Sequence, residues 1–142
     1  IGAVNALKKT FPEMKSVILA EDEDICLDPS LITKEIGVVT KPDMLFADGD
    51  IVKLDDLDFR YMATPGHTKG GVCLHVEDIV FAGDTVFCES IGRTDFPGGS
   101  YKQIIESIKN KILVLDDETR LLPGHGPATT VAWERKRNPF LQ

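Results

Sequence analysis

Residues 72–83 read VCLHVEDIVFAG, and no other stretch leaves the chain so little freedom. Two apolar five-residue runs, 72–76 and 79–83, are parted only by Glu77 and Asp78. A two-residue connection between such runs specifies an antiparallel hairpin, although Glu-Asp is not the preferred turn pair. Alternation along the first run predicts that Val72, Leu74 and Val76 face the core, with Cys73 and His75 on the other face. His75 then reads as a structural or surface histidine. The pairing also has a chemical consequence. With residues 77 and 78 as the turn, Gly71 stands opposite Asp84. His67 lies four residues beyond Gly71, in the loop at that same end, so His67 and Asp84 converge.

A third residue joins them. His125 sits in PGHGP (123–127), directly after the strand expected within DDETRLL, and His67 sits in TPGHTKGG (64–71). Strands that end on one edge of a sheet bring His67, Asp84 and His125 together. Imidazole with carboxylate suits zinc, iron or manganese. The adjacent glycines (Gly66, Gly83, Gly124, Gly126) permit tight turns and close backbone approach.

The remaining segments read as follows. Ala3, Val4, Leu7 and Phe11 recur at helical spacing until Pro12 stops the helix. SVILA (16–20) is a short buried strand and EDED (21–24) a solvated acidic loop. In 26–47 only a possible short helix from DPS (28–30) and a turn at KPD (41–43) stand out. DGD (48–50) precedes strands at 51–54 and 57–63, the second with Leu57, Phe59 and Tyr61 on one face. SYKQ (100–103) is a capping box ahead of an apolar stripe of Tyr101, Ile104, Ile105, Ile108 and Ile112. A last helix covers about 130–137.

With 142 residues, 42% hydrophobic and 27% charged, the chain has the composition of one soluble globular domain. No apolar run is long enough for a membrane span. A net charge of −7 and a pI near 4.9 argue against nucleic acid as a partner. Three cysteines (Cys26, Cys73, Cys88) without a CxxC fit reduced thiols and a cytoplasmic location.

TPGHTKGG, FAGDTVF and LPGHGP, in this order, resemble the metallo-β-lactamase-fold hydrolases. IGRTDFPGGS (91–100) and the ending ERKRNPFL make the glyoxalase II-like branch the closer match. The resemblance implies an αββα sandwich of the α/β class, here a single domain over residues 1–142. It further implies a site for two metals, usually zinc, with iron or manganese as alternatives. His67 is then a ligand of the first metal, Asp84 the carboxylate bridging both, and His125 a ligand of the second. Members of that family carry an HxHxDH motif that supplies further ligands. This chain has none, and its opening IGAVNALKK resembles the helix that follows the motif, so the expected fold is incomplete at the N-terminus. An edge exposed in this way would pair with another chain or a second copy.

The activity implied is hydrolysis of a thioester, such as an S-acylated small thiol, by a metal-bound hydroxide. A persulfide dioxygenase using one iron shares the fold, as do lactonases and phosphodiesterases. An inactive fragment serving only as an interaction module is the reading from a different class. Thr85 and Ser90 are expected to support the ligands; Lys102 and Arg93 read first as ordinary solvated cations, with attraction of an anionic substrate as the alternative.

Overall fold

The computed structural model describes residues 3–28 and 41–142. The DPS helix expectation falls at the edge of a segment outside them. Helix α1 (Val4–Thr10) ends before Pro12 as its periodicity predicts, yet it buries no residue. It is held instead by Lys8, whose ammonium meets Asp43 at 2.5 Å, while Asp43 also accepts from the Ser16 amide and hydroxyl. Those donors pull the Asp43 carboxyl well below its ordinary range, Lys8 first. Strand β1 (Val17–Leu19) pairs in parallel with β2 (Met44–Phe46), Val17 against Met44.

The acidic EDED segment is a correction to the sequence reading. It is a 3-10 turn (Ala20–Asp22) running into α2 (Glu23–Leu27), and α2 buries Ile25 and Cys26. Burial pushes the Cys26 thiol up, as expected of a packed, unreactive side chain.

The main sheet has six strands in the order β10-β9-β6-β5-β4-β3. These are β3 (Ile51–Leu54), β4 (Leu57–Ala63), β5 (Val72–Val76), β6 (Ile79–Gly83), β9 (Arg120–Pro123) and β10 (Thr129–Thr130). All neighbours are antiparallel except β6 and β9, which run in parallel. The β5–β6 hairpin turns at Glu77 and Asp78, with Val76 paired to Ile79. Glu77 takes φ +51°, the left-handed value that a tight two-residue turn demands and that makes Glu an uncommon choice.

The main core lies on the Cys73 face of β5, opposite to the face expected, although Val76 is buried as predicted. Cys73 is fully buried and pairs with Met62 inside the main core, whereas Val72 and Leu74 are only half-buried. That core also contains Val80, Ala82, Val86 and Leu121, closed over by Ile104, Ile108 and Ile112. The three isoleucines come from α3 (Tyr101–Ser107) and the π turn that continues it (Ile108–Ile112). Tyr101, placed in the stripe by spacing, is exposed, while Ser100 caps the helix as predicted by accepting from the Gln103 amide. On the opposite face of the sheet Tyr61 meets Phe46 edge-on at 4.6 Å, and Phe81 and Leu54 remain exposed. The small hairpin β7 (Val86–Phe87) and β8 (Ser90–Ile91) precedes α3, and α4 (Val131–Arg137) ends the fold, capped by Thr130.

Buried polar groups tie α4 to this hairpin. The Glu134 carboxyl, with no solvent exposure, accepts from the Glu89 amide (3.0 Å), the Asn138 amide (2.8 Å) and the Thr129 hydroxyl (2.6 Å). Asn138 in turn donates to the Ser90 carbonyl at 2.9 Å. Among the described residues no helix is long and apolar enough to cross a membrane.

Candidate metal centre

Strands β4, β6 and β9 all run in one direction, because β5 is antiparallel to both of its neighbours and β6 is parallel to β9. Their C-terminal ends share one edge. The loop after β4 carries His67, the residue after β6 is Asp84, and the loop after β9 carries His125. Topology thus brings together the three residues that the sequence singled out.

The His67 loop is folded tightly. The Thr64 amide donates to the Gly71 carbonyl and the Gly66 amide to the Thr68 carbonyl. On the α3 side, the Ser100 amide donates to the Gly66 carbonyl and the Ser107 hydroxyl to the Pro65 carbonyl. Gly66 has φ +137°, and a Cβ there would lie 2.4 Å from the Ile104 nitrogen, so both conformation and space require glycine. The imidazole is mostly buried, with Phe96 edge-on at 5.2 Å.

His67 Nδ1 stands 2.9 Å from the Arg93 carbonyl oxygen. That oxygen only accepts, so Nδ1 carries a proton, and in the neutral imidazole the lone pair is then on Nε2. Nε2 faces Asp84 Oδ2 at 3.6 Å, and on the other side His125 Nε2 faces Asp84 Oδ1 at 3.8 Å. Two donors of one tetrahedral zinc, each at about 2.0–2.1 Å, stand roughly 3.3 Å apart. Both gaps are therefore close to the separation of ligand pairs, and they lie beyond hydrogen-bond range. The donor set fits a cation on each side of the carboxylate. Among the described residues no three His, Cys, Asp or Glu side chains form a group that could hold one metal ion, and each side of the Asp84 carboxylate carries one imidazole.

Backbone contacts fix the carboxylate's surroundings. The Gly124 amide donates to the Gly83 carbonyl at 2.7 Å, which draws the PGHGP loop onto the end of β6. A Cβ on Gly124 would come within 2.7 Å of Asp84 Oδ1. Gly124→Ala is therefore expected to displace the carboxylate and lower metal affinity about tenfold. The same Cβ would lie 3.3 Å from the Gly83 carbonyl carbon and oxygen, so a modest fall in the unfolding midpoint should accompany the loss of affinity; calorimetric titration and thermal melts check the two halves.

His125 is exposed but stacks on Phe87, ring centroids 4.3 Å apart. A cavity of about 770 Å3 opens over the site, lined by the three candidate ligands together with Asp22, Ile25, Phe87, Ser90, Arg93 and Phe96.

The supporting residues divide differently from expectation. Ser90 does line the cavity. Thr85 lies buried behind it, its hydroxyl 2.9 Å from that of Thr64, with the Cys73 thiol next at 3.4 Å. Lys102 lies on α3 near Glu106 and lines no part of the cavity. Arg93 does line it, but its guanidinium is engaged by Asp95 in two 2.6 Å bonds and lies over Phe96. The same bonds hold the Asp95 carboxyl down at about 2.

Sequence reasoning missed Asp22, which lines the cavity from the acidic segment, and Glu134 and Asn138, which hold Glu89 and the cavity-lining Ser90. A Glu followed four residues later by Asn in the closing ERKRN was the one available signal for the latter pair.

Comparison with known proteins bears on the fold. Residues 1–125 match the metallo-beta-lactamase superfamily. The hydroxyacylglutathione hydrolase GloC of Haemophilus influenzae is 45% identical over 103 residues, which cover 70% of this chain and 49% of that protein. The crystal structure of the BLEG-1 B3 metallo-beta-lactamase superposes with a TM-score of 0.91 at 36% identity, covering 99% of this chain and 71% of that one. TTHA1623 in a di-iron-bound form gives 0.88 at 32%, with the same coverage. The chain spans about half the length of the curated relatives it matches.

Proposed function

The chain belongs to the metallo-beta-lactamase superfamily, and on that premise we propose that it serves a metal-dependent hydrolase that cleaves the thioester of an S-acylated small thiol. The observation that carries this reading is one carboxylate set between two imidazoles, Oδ2 toward His67 and Oδ1 toward His125. The likeness to a protein named for hydroxyacylglutathione hydrolysis supports the substrate class.

In this reading His67 and Asp84 hold one ion, and Asp84 and His125 hold the second. Zinc fits these donors; so does iron, which a structural neighbour carries. Such a metal pair supplies hydroxide near neutral pH and polarises a carbonyl. The chain's own residues do the positioning. The Arg93 carbonyl fixes the His67 tautomer, and Phe87 holds the His125 ring by stacking. Phe87 and Phe96 give the cavity apolar walls that limit water around a bound acyl group. Two protein ligands per ion fall short of the three or four usual for zinc. We therefore place the remaining ligands outside the described residues. The exposed Met44, Leu45, Leu54 and Phe81 favour pairing with another chain or a second copy.

The test is metal content per chain by elemental mass spectrometry, followed by thioester hydrolysis with the metal-loaded protein. Bound zinc or iron together with release of free thiol is the expected result. Oxygen consumption with a persulfide, with the thioester left intact, would replace this reading by a persulfide dioxygenase.

A further inference from the structure

We infer that Asp22 is a positioning residue for His67, gripping its loop on the C-terminal flank of the histidine while α3 holds the N-terminal flank. This rests on the reading of His67 as a metal ligand. Asp22 lies 45 residues before His67 in the sequence, at the end of the 3-10 turn that the acidic composition had suggested was a solvated loop. Both of its carboxylate oxygens are used. Oδ2 accepts from the Thr68 hydroxyl at 2.5 Å and Oδ1 from the Gly70 amide at 2.6 Å. The approach is close enough to dictate sequence: a Cβ on Gly70 would lie 2.7 Å from Asp22 Cγ.

The loop is therefore held on both flanks of the histidine. Pro65 and Gly66 are bound from α3 by Ser107 and Ser100, and Thr68 and Gly70 by Asp22. His67 is the residue between the two grips. Without Asp22 the backbone after His67 is held only by the loop's own Gly66–Thr68 and Thr64–Gly71 hydrogen bonds, which tie the loop to itself and leave its C-terminal flank unanchored to the neighbouring segment. The Arg93 carbonyl fixes the ring only when the backbone delivers it there. Hydrogen bonds to charged acceptors are short and directional, which suits a carboxylate to this task.

The experiment compares Asp22→Ala and Asp22→Asn with the unmodified chain. A Val131→Ala control removes core packing away from this loop. Three quantities are read: exchange of the Gly70 amide and the His67 ring resonances without metal, and Co2+ affinity by calorimetry. In Asp22→Ala, Gly70 exchange is expected to accelerate at least about tenfold, the His67 ring signals to shift or broaden, and Co2+ affinity to fall roughly 10- to 100-fold. Asp22→Asn should recover most of each. Its amide oxygen can accept from Gly70 and its NH2 can donate to the Thr68 hydroxyl, which serves as donor or acceptor.

Unchanged Gly70 exchange and ring signals in Asp22→Ala would overturn the inference. An equal loss of Co2+ affinity in Val131→Ala would do the same, by showing a general effect of stability. Absence of Co2+ binding by the unmodified chain would remove the metal reading; the exchange and ring signals then still decide whether Asp22 positions the loop.

Discussion

Replacing Asp84 by alanine is expected to abolish metal uptake on both sides of the centre at once. Its two oxygens face two different imidazoles, so one substitution removes a ligand from each pair. The loss should exceed the 10- to 100-fold typical when only an outer supporting group is removed. His67→Ala and His125→Ala should act unequally, each weakening its own side and leaving the other pair in place. Stability should barely respond. The Asp84 side chain is partly exposed, and surface substitutions of this kind usually fall within about 0.5 kcal/mol. Calorimetric metal titration of the three variants, with melts as a folding check, reads the pattern. Independent, additive losses from Asp84→Ala and one histidine variant would show that the carboxylate does not serve both sides.

The largest effect on stability is expected from Glu134→Leu. The substitution keeps the size and removes the acceptor for the Glu89 and Asn138 amides and the Thr129 hydroxyl, in a place without solvent. A buried donor left unpaired costs about 1–3 kcal/mol; here the Glu89 and Thr129 donors are only part-buried and Asn138 keeps its bond to the Ser90 carbonyl, so the low end applies to each and a total of roughly 3–5 kcal/mol is expected. For a chain of this size that corresponds to a fall in Tm of about 10–20 °C. Glu134→Gln should be milder, since one oxygen remains to accept. Because the network anchors Ser90 and Glu89 beside the cavity, loosening of the 84–93 segment should accompany the loss. Chemical denaturation reads the first effect and amide exchange at Glu89 the second. A Glu134→Leu protein as stable as the unmodified chain would show that these hydrogen bonds contribute nothing net.

How far the site was legible in the sequence depended on the distance over which each interaction acts. His67 and Asp84 could be joined because a two-residue turn sets the register of the strands between them, and the β5–β6 pairing follows that register. His125 needed one further step, that its strand end on the same edge, and the parallel β6–β9 pairing supplies it. Asp22 and Glu134 were illegible for the opposite reason. Their partners lie 46 and 48 residues away for Asp22 and 45 residues away, at Glu89, for Glu134. A carboxylate among other carboxylates looks solvated until its donors are known. The unexpected core face of β5 has a related cause. Alternation identifies the core side only when the other side is wet, and here Leu74 is itself half-buried on the second face.

By itself the sequence determined the hairpin, the capped helix α3, the glycine-framed loops and the three candidate ligands, because each rests on local geometry or on the chemistry of a side chain. Only the tertiary structure decided which face of β5 is the core, that Asp84 turns one oxygen to each histidine, that Arg93 is neutralised by Asp95, and that Asp22 grips the His67 loop. Those outcomes depend on where separate segments meet. Propensity and spacing act within a segment, whereas a hydrogen bond between segments exists only once packing has brought its donor and acceptor within about 3 Å.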